Sequence, residues 1–385
     1  MEIYLDNAAT TVCCREAADA VREAMLTEYG NPSSMHRKGW LAEQMQKQAV
    51  KTLAGILKAS EKEIFFTSGG TESDNWALYG AAHANSRKGK HILTTPLEHP
   101  AVSEPLRRLE EEGFEVTVLP VDKNGFVTAD QIADAMREDT ILVSVMMVNN
   151  EIGTIEPVAE IGSRIHRKNP HTIFHVDAVQ AFGKLPVYPG RMGIDLLSAS
   201  GHKIHGPKGI GLLYVREKTK IRPLILGGGQ QGGMRSGTDN VPGIAGFSAA
   251  AEKLFSEHET VLARERLCKD RLCQGLGKME NVRLHGPLDG KGDVPYIVNA
   301  SFVGIRSEVL LHALEEKGIY VSAGSACSSH KRTASAVLTA IGCSGEEIES
   351  AVRFSFSGET TEEEIDIVLQ ALQELVPMLR RFKRK

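Results

Sequence analysis

The sequence has few of the features that mark secreted, disulfide-stabilised or membrane proteins. Its six cysteines in 385 residues show no disulfide-framework spacing, so we expect them to be reduced. The longest apolar run, near residues 141–148, is far shorter than the ~20 residues that a membrane span needs. The opening residues MEIYLDNAATT have no basic region and no long apolar region, so they do not read as a secretory signal. We therefore expect a cytoplasmic protein that does not bind a membrane.

Neither sign of charge is in large excess. Lys and Arg total 45 against 49 Asp and Glu, and the net charge of -4 gives no general attraction to DNA or anionic lipid. Hydrophobic residues make up 42% and charged residues 24%, which excludes disordered and fibrous classes. A chain of this length buries a large core and is expected to form two or three packed units.

Short β-branched runs alternate with longer amphipathic stretches over the first two thirds of the chain. The runs predict strands at 64–67, 91–94, 115–119, 141–145, 172–176, 196–199 and 211–215. Helix patterns occupy 39–57, 100–112, 128–136, 241–279 and 360–381, the last opened by a capping box of Thr361 and Glu364. Such alternation predicts an α/β fold with a mostly parallel sheet, followed by an α+β segment. We expect a large domain from 13–258 and a smaller α+β domain from 1–12 and 259–385.

Residues 64–73 combine a strand, a turn of small residues and a helix start. That arrangement directs free backbone N–H groups and hydroxyls to one point, which suits a phosphate group, although an ordinary strand–helix turn has the same pattern. Two other glycine-rich segments are rejected as nucleotide sites. The GxGxxG at 227–232 is not followed by a helix, and HGPLDGKGD at 285–293 has the wrong spacing for a P-loop and lacks its Ser or Thr.

Two further side chains are placed at strand ends. Asp177 ends one apolar strand, and Lys203 follows the next strand in a turn rich in small residues. In a parallel sheet these ends meet at the ligand crevice, next to the phosphate-type turn. A lysine, an acid and a phosphate site are what pyridoxal 5'-phosphate (PLP) requires: the lysine for covalent attachment, the acid for the ring nitrogen. The residues thus predict a PLP site.

Several segments together resemble the NifS/IscS-type cysteine desulfurases of the class V aminotransferase family. They are YLDNAAT (4–10), FTSGGTESDN (66–75), VNNEIG (148–153), FHVDAVQAFGK (174–184), SGHKIHGPKGIG (200–211) and MRSGTDN (234–240). The segment SAGSACSS (322–329) resembles the active-site loop of the group I desulfurases. The resemblance covers almost the whole chain and implies the PLP fold-type I, aspartate-aminotransferase-like architecture, with a seven-stranded sheet in the large domain.

The resemblance also implies roles for single residues. Lys203 would bind PLP covalently and move the substrate α-proton, Asp177 would hold the ring nitrogen protonated, and His99 would stack on the ring and act as acid or base. The remaining cofactor contacts would come from Gly70, Thr71, Asn150, Gln180, Ser200 and His202, with Thr238 contributed by the partner of a homodimer. Asn150 would also lie near the substrate, and Arg353 would bind the substrate carboxylate, a task that suits a planar guanidinium.

Cys327 is the predicted nucleophile. Its neighbours are small and polar, which is typical of a loop and not of a core, and Lys331 and Arg332 could favour the thiolate. The other five cysteines fit helices or helix ends, and the adjacent pair Cys13–Cys14 lacks the partners of a metal site, so no metal is expected.

We therefore expect an enzyme that converts L-cysteine to L-alanine and forms a persulfide on Cys327. The sulfur would pass to an acceptor protein, either an iron–sulfur scaffold or a tRNA-thiolation enzyme. Two alternatives remain open at this point: another class V PLP enzyme, such as a transaminase or a selenocysteine or cystine lyase, and a non-catalytic sulfur-relay protein. The basic tail, residues 380–385, is either a solvated helix end or a contact for tRNA or an acidic acceptor. The chain departs from well-known group I members in its shorter C-terminus and in residues 333–338.

Overall fold

The computed structural model describes residues 2–323 and 334–381. Cys327 and the last four residues of the basic tail therefore lie outside the described residues. The strands in chain order are β1 (Ile3–Tyr4), β2 (Ile64–Thr67), β3 (His91–Thr94), β4 (Glu115–Val118), β5 (Thr140–Ser144), β6 (Ile173–Asp177), β7 (Leu196–Ser200), β8 (Gly211–Val215), β9 (Val282–His285), β10 (Ile297–Phe302), β11 (Ile319–Tyr320), β12 (Ser322–Ala323) and β13 (Ala351–Ser355).

The helices follow the predicted alternation with the strands. In chain order they are α1 (Arg15–Leu26), α2 (Arg37–Leu57), α3 (Gly70–Asn85), α4 (Pro100–Glu111), α5 (Ala129–Ala135), α6 (Val158–Lys168), α7 (Pro189–Met192), α8 (Val241–Leu276), α9 (Ser307–Glu315), α10 (Ala336–Ala340), α11 (Gly345–Glu349) and α12 (Glu362–Arg381). The capping box before α12 is present, because Thr361 Oγ1 accepts the Glu364 N–H at 3.2 Å and Glu364 Oε2 accepts the Thr361 N–H at 3.0 Å. No helix within the described part of the chain is long and apolar enough to cross a membrane.

The main sheet has seven strands in the order β2-β8-β7-β6-β5-β3-β4. Strands β7, β6, β5, β3 and β4 pair in parallel, whereas β8 is antiparallel to both β2 and β7. This confirms the α/β fold with a mostly parallel seven-stranded sheet. Strands β2, β3 and β8 agree with the sequence prediction at both ends, and the other four differ by one residue at one or both ends.

Helices cover both faces of the main sheet. Alternate residues of β8 face opposite sides, so that Leu212 and Tyr214 join one apolar cluster while Leu213 and Val215 join another. The first cluster includes residues of α2, α6 and α8, and the second includes residues of α3 and α4. Strands β3, β5, β6, β7 and β8 are buried on both faces, which is why their sequences are rich in apolar residues, whereas the edge strand β4 is partly exposed.

A second, antiparallel sheet has the order β12-β13-β10-β9, and β1 pairs in parallel with β11. The 36-residue helix α8 runs from contacts with α1 and α2 to contacts with α12 and β10. The boundary predicted at residue 258 falls inside α8, and the division of the chain into domains 13–258 and 1–12 with 259–385 stays a prediction.

Candidate active site

A cavity of about 770 Å³ opens at the carboxyl ends of the parallel strands. It collects ten of the residues predicted for the site, namely Gly70, Thr71, His99, Asn150, Asp177, Gln180, Ser200, His202, Lys203 and Arg353. These ten residues are far apart in the sequence. The two most distant, Gly70 and Arg353, are separated by 283 positions. The topology of the main sheet brings nine of them together, because each of these follows or ends a strand whose carboxyl end points to this edge, whereas Arg353 comes from the middle of β13 in the second sheet.

One wall of the cavity is the N-terminus of α3. No side chain caps this helix, so the N–H groups of its first turn are available to an anion. Gly69, just before the helix, has a φ of 153°, and a Cβ on Gly70 would lie 2.7 Å from Val179 Cγ2. Both positions therefore require glycine, which keeps the backbone open to a ligand. Ser200, which ends β7, lies against the same turn.

Asp177 is the last residue of β6 and is 4% exposed. Its Oδ1 accepts the Val179 N–H at 2.9 Å. Burial, with a smaller contribution from the nearby carboxyl of Asp74, raises the pKa of Asp177 to about 7. A protonated ring nitrogen at this carboxylate would favour the ionised form, because an adjacent positive charge lowers the pKa of an acid.

Lys203 is turned toward the N-terminal segment of the chain. Its Nζ donates to the carbonyls of Ala8 at 2.6 Å and Ala9 at 2.7 Å. Gln180 Nε2 donates to the same Ala8 carbonyl at 2.9 Å, while Gln180 Oε1 is buried without a partner among the described residues. The segment that carries Ala8 and Ala9 thus forms part of the site.

His99 caps the N-terminus of α4. Its Nδ1 accepts the Ala101 N–H at 3.1 Å, so the neutral ring carries its proton on Nε2. Burial lowers the pKa of His99, the carboxyl of Asp177 partly opposes this, and Lys203 adds to it. His202, buried by its surroundings, has its pKa lowered to about 4. Both imidazoles are therefore neutral near pH 7.

Arg353 lies in the middle of β13 and is 8% exposed. Its Nη1 donates to the Asn150 carbonyl at 2.9 Å, and its Nη2 donates to Asp6 Oδ1 at 2.8 Å. The Nε atom is buried and has no partner within the described residues. The predicted arginine is thus in the cavity and keeps unused hydrogen-bonding capacity.

Besides Glu104 and Glu151, three acids of the site were missed in the sequence: Asp6, Asp74 and Glu98. Glu98 Oε1 accepts the Thr95 hydroxyl and the Met146 N–H, both at 2.9 Å. Burial raises the pKa of Glu98 well above its usual value and that of Asp74 to about 7. In the sequence, only their positions could have indicated these acids. Glu98 directly precedes His99, Asp6 lies within YLDNAAT (4–10), and Asp74 lies within FTSGGTESDN (66–75).

Two predicted residues are not placed in this cavity. Thr238 is exposed and does not line it, and its predicted contact across a dimer stays a prediction. Cys327 lies outside the described residues, but Ala323 and Ala334, which flank its segment on either side, both line the cavity.

The residues present fit PLP. The uncapped start of α3 and Ser200 suit a phosphate, and Asp177 suits a protonated ring nitrogen. Lys203 Nζ suits an aldehyde carbon, and the unpartnered Gln180 Oε1 can accept a hydrogen bond from a ring hydroxyl. Within residues 2–323 and 334–381, no group of three His, Cys, Asp or Glu is arranged to hold a metal ion.

Comparison with known proteins agrees with this site. The model of the class V aminotransferases matches residues 3–368. A cysteine desulfurase IscS of Methanosarcina thermophila is 46% identical over 380 residues, which cover 99% of this chain and 93% of that protein. A solved NifS-like protein is 38% identical with a TM-score of 0.93, covering 98% of this chain and 100% of the other. The structure of SspA in complex with cysteine is 33% identical with a TM-score of 0.81, covering 92% and 99%. The chain therefore belongs to the class V aminotransferase family, whose members use PLP, and within it to the NifS/IscS-type cysteine desulfurases.

Proposed function

We propose that this chain is a PLP-dependent cysteine desulfurase that converts L-cysteine to L-alanine and leaves a persulfide on Cys327. The observation that carries the proposal is one cavity that holds Lys203, Asp177 and Arg353 and is also lined by both flanks of the Cys327 segment. A PLP lysine and its acid alone would suit many class V reactions. The flanks of a cysteine-bearing segment at the same cavity favour sulfur transfer.

The chain's own residues account for each requirement of this reaction. When bound, PLP withdraws electrons from the substrate α-carbon and so stabilises the negative charge that develops there. Asp177 holds the proton at the ring nitrogen, and Lys203 Nζ accepts the α-proton. Arg353 binds the substrate carboxylate. His99 presents a protonated Nε2 and can hold or donate a proton beside the ring.

The sulfur step balances without an added oxidant. The Cys327 thiolate attacks the substrate sulfur, a sulfur–sulfur bond forms, and the carbon–sulfur bond of the substrate breaks. Protons delivered to the substrate carbon complete the methyl group of alanine. The products are alanine and a Cys327 persulfide, with the same atoms as cysteine plus the Cys327 thiol.

The described flanks support Cys327 as the nucleophile. Cys327 follows Ala323 by four positions in the sequence, and four extended residues span at most about 14 Å. On the other side, Ser335 Oγ caps α10 and donates to Glu151 Oε2 at 2.6 Å, which anchors that flank to the cavity wall. Both flanks of the segment that carries Cys327 therefore lie at the cavity that Arg353 lines.

The proposal is tested by incubating the PLP-loaded protein with L-cysteine and quantifying alanine and protein-bound sulfur. We expect alanine to accumulate, with about one sulfur bound per chain before any acceptor is added. A strict requirement for a keto acid would instead identify a transaminase. Release of sulfide with no protein-bound sulfur would identify a lyase, and either result would overturn the proposal.

Substitution of Arg353 by lysine should weaken cysteine turnover. Lysine keeps the positive charge but loses the planar pair of donors that matches a carboxylate. We expect Arg353→Ala to lose about 2–4 kcal/mol of transition-state stabilisation, calculated from kcat/KM. We expect Arg353→Lys to show most of the same loss. Steady-state alanine formation measures both variants, and unchanged kinetics in Arg353→Lys would remove Arg353 from substrate binding.

We further propose that the enzyme is a homodimer in which Thr238 reaches the phosphate site of the partner. The support is that four large apolar side chains within residues 26–40 are exposed, namely Leu26 at 72%, Tyr29 at 67%, Met35 at 106% and Trp40 at 55%. A single chain that leaves so many large apolar groups in water is expected to bury them by association. Light scattering should give twice the chain mass of 41.9 kDa, and Trp40→Glu should weaken the dimer.

The acceptor and the location belong to the same proposal. The five described cysteines are unpaired, which suits a reducing cytoplasm. Relatives named IscS support a sulfur acceptor such as an iron–sulfur scaffold or a tRNA-thiolation enzyme. Transfer of labelled sulfur from the loaded protein to each acceptor distinguishes the two.

A further inference from the structure

Asp6 has no role in the proposed chemistry, yet it is the charged partner of Arg353. The Nη2–Oδ1 distance is 2.8 Å, and the two side chains are 23% and 9% exposed, respectively. Both residues line the cavity. The contact between Asp6 and the guanidinium therefore lies at the cavity.

The hydrogen bonds of Arg353 leave part of its donor capacity unused among the described residues. Nη1 donates to the Asn150 carbonyl, and Nη2 donates to Asp6 Oδ1. The buried Nε–H has no partner among the described residues, and Nη2 has a second hydrogen beyond the one that Asp6 accepts. Arginine N–H groups of this kind bind carboxylates through charge-assisted hydrogen bonds.

We propose that Asp6 is a positioning residue that holds the guanidinium of Arg353 in place at the cavity for the carboxylate of the substrate. This inference rests on the proposed function, because it takes an amino acid as the ligand. Asp6 accepts from Nη2 alone, so the guanidinium keeps other donors for the substrate.

The backbone around Asp6 is fixed to the same strand as Arg353. Asn7 Nδ2 donates to the Ser355 carbonyl at 3.0 Å, and the Ala8 N–H donates to Ser355 Oγ at 2.9 Å. The Ser355 N–H in turn donates to the Leu5 carbonyl at 2.7 Å. The residues on both sides of Asp6 are thus bonded to Ser355. Ser355 lies on β13, two residues after Arg353.

Charge explains why an acid is needed at this position. A buried arginine without a counter-charge is costly before the substrate arrives. Glu151 also faces Arg353, but burial raises the pKa of Glu151 and its Oε2 accepts the Ser335 hydroxyl. Asp6 is therefore the closer counter-charge, with a direct hydrogen bond to Nη2.

The test uses the PLP-loaded enzyme with Asp6→Ala and Asp6→Asn. Alanine removes the oxygen that accepts from Nη2, whereas asparagine keeps an oxygen at the same place. We expect Asp6→Ala to raise KM for cysteine ~10-fold with kcat changed less than about 3-fold, the pattern of lost ground-state and transition-state binding alike. We expect Asp6→Asn, which keeps an acceptor oxygen but removes the counter-charge, to restore only part of the affinity.

A substrate analogue separates this role from a general structural one. Cysteamine has the amine and thiol of cysteine but no carboxylate, and its binding to the loaded enzyme is followed by the visible spectrum. We expect Asp6→Ala to weaken the binding of cysteine and to leave that of cysteamine unchanged. Equal effects on both ligands, or no effect on cysteine, would overturn the inference. If the wild type makes no alanine from cysteine, the proposed function fails instead.

Two controls keep the comparison specific. Glu359→Ala removes one exposed negative charge from a residue that does not line the cavity, and it should leave KM unchanged. If Asp6→Ala does not retain PLP, Asp6→Ser replaces it, because serine is too short to reach Nη2 but keeps a polar side chain. Thermal unfolding of each variant shows whether the fold is preserved.

Discussion

Lys203→Ala is expected to abolish alanine formation and to remove the borohydride-trappable link between the chain and PLP. Lys203 follows β7 at the carboxyl edge of the sheet, and its Nζ is held by the carbonyls of Ala8 and Ala9. Among the residues described, no other lysine lines the cavity. The variant should therefore lose both the covalent attachment and the group that moves the α-proton.

The measurement combines borohydride reduction with peptide mass analysis. In the wild type, the reduced PLP should be found on the peptide that contains Lys203. Lys208 is an exposed lysine five residues further on, and Lys208→Ala serves as the matched control with activity close to the wild type. Attachment of PLP to Lys208, or turnover by Lys203→Ala near the wild-type rate, would refute the assignment.

Cys327→Ser is expected to bind PLP and cysteine normally but to accumulate no protein-bound sulfur. The groups that hold the cofactor and the substrate carboxylate are untouched. A serine hydroxyl is far from ionised at neutral pH, so it is a poor nucleophile toward sulfur. The visible spectrum of the loaded variant should still change with cysteine, while persulfide formation falls below detection.

The other thiols are poor nucleophiles for physical reasons. Burial raises the pKa of three of them to about 11, namely Cys268, Cys273 and Cys343. Cys343→Ser is the matched control, because its Sγ lies 3.4 Å from His285 Nδ1 and a serine can keep that hydrogen bond. It should form the persulfide at the wild-type level. If the Cys327→Ser variant still bound one sulfur per chain, the nucleophile would have to be another cysteine.

Much of the sheet and of the site could be predicted from the sequence because the signals are local. Apolar runs between turns give the strands, and Asp177 and Lys203 stand directly at strand ends. The strands of the second sheet carry weaker patterns, and they were described only as an α+β segment. Arg353, which lies on β13 of this sheet, was identified from the family resemblance and not from a local pattern.

The contacts that complete the site depend on residues far apart in the chain. Asp6 and Arg353 are 347 residues apart, and Lys203 and Ala8 are 195 residues apart. No local periodicity indicates such pairs, because they follow from how the N-terminal segment crosses the cavity. The raised pKa of Glu98 has the same origin, since burial by several elements cannot be seen in one segment.

The long helix α8 has a consequence for how the protein can be divided for production. Its 36 residues extend about 54 Å, and one apolar cluster joins its residues to both sheets. A recombinant fragment that ended at residue 258 would cut α8. The main sheet would then lack the packing of Cys268, Leu272 and Leu276, each 0% exposed in the intact chain. We expect such halves to aggregate when they are expressed apart, so biophysical work on either sheet requires the undivided polypeptide.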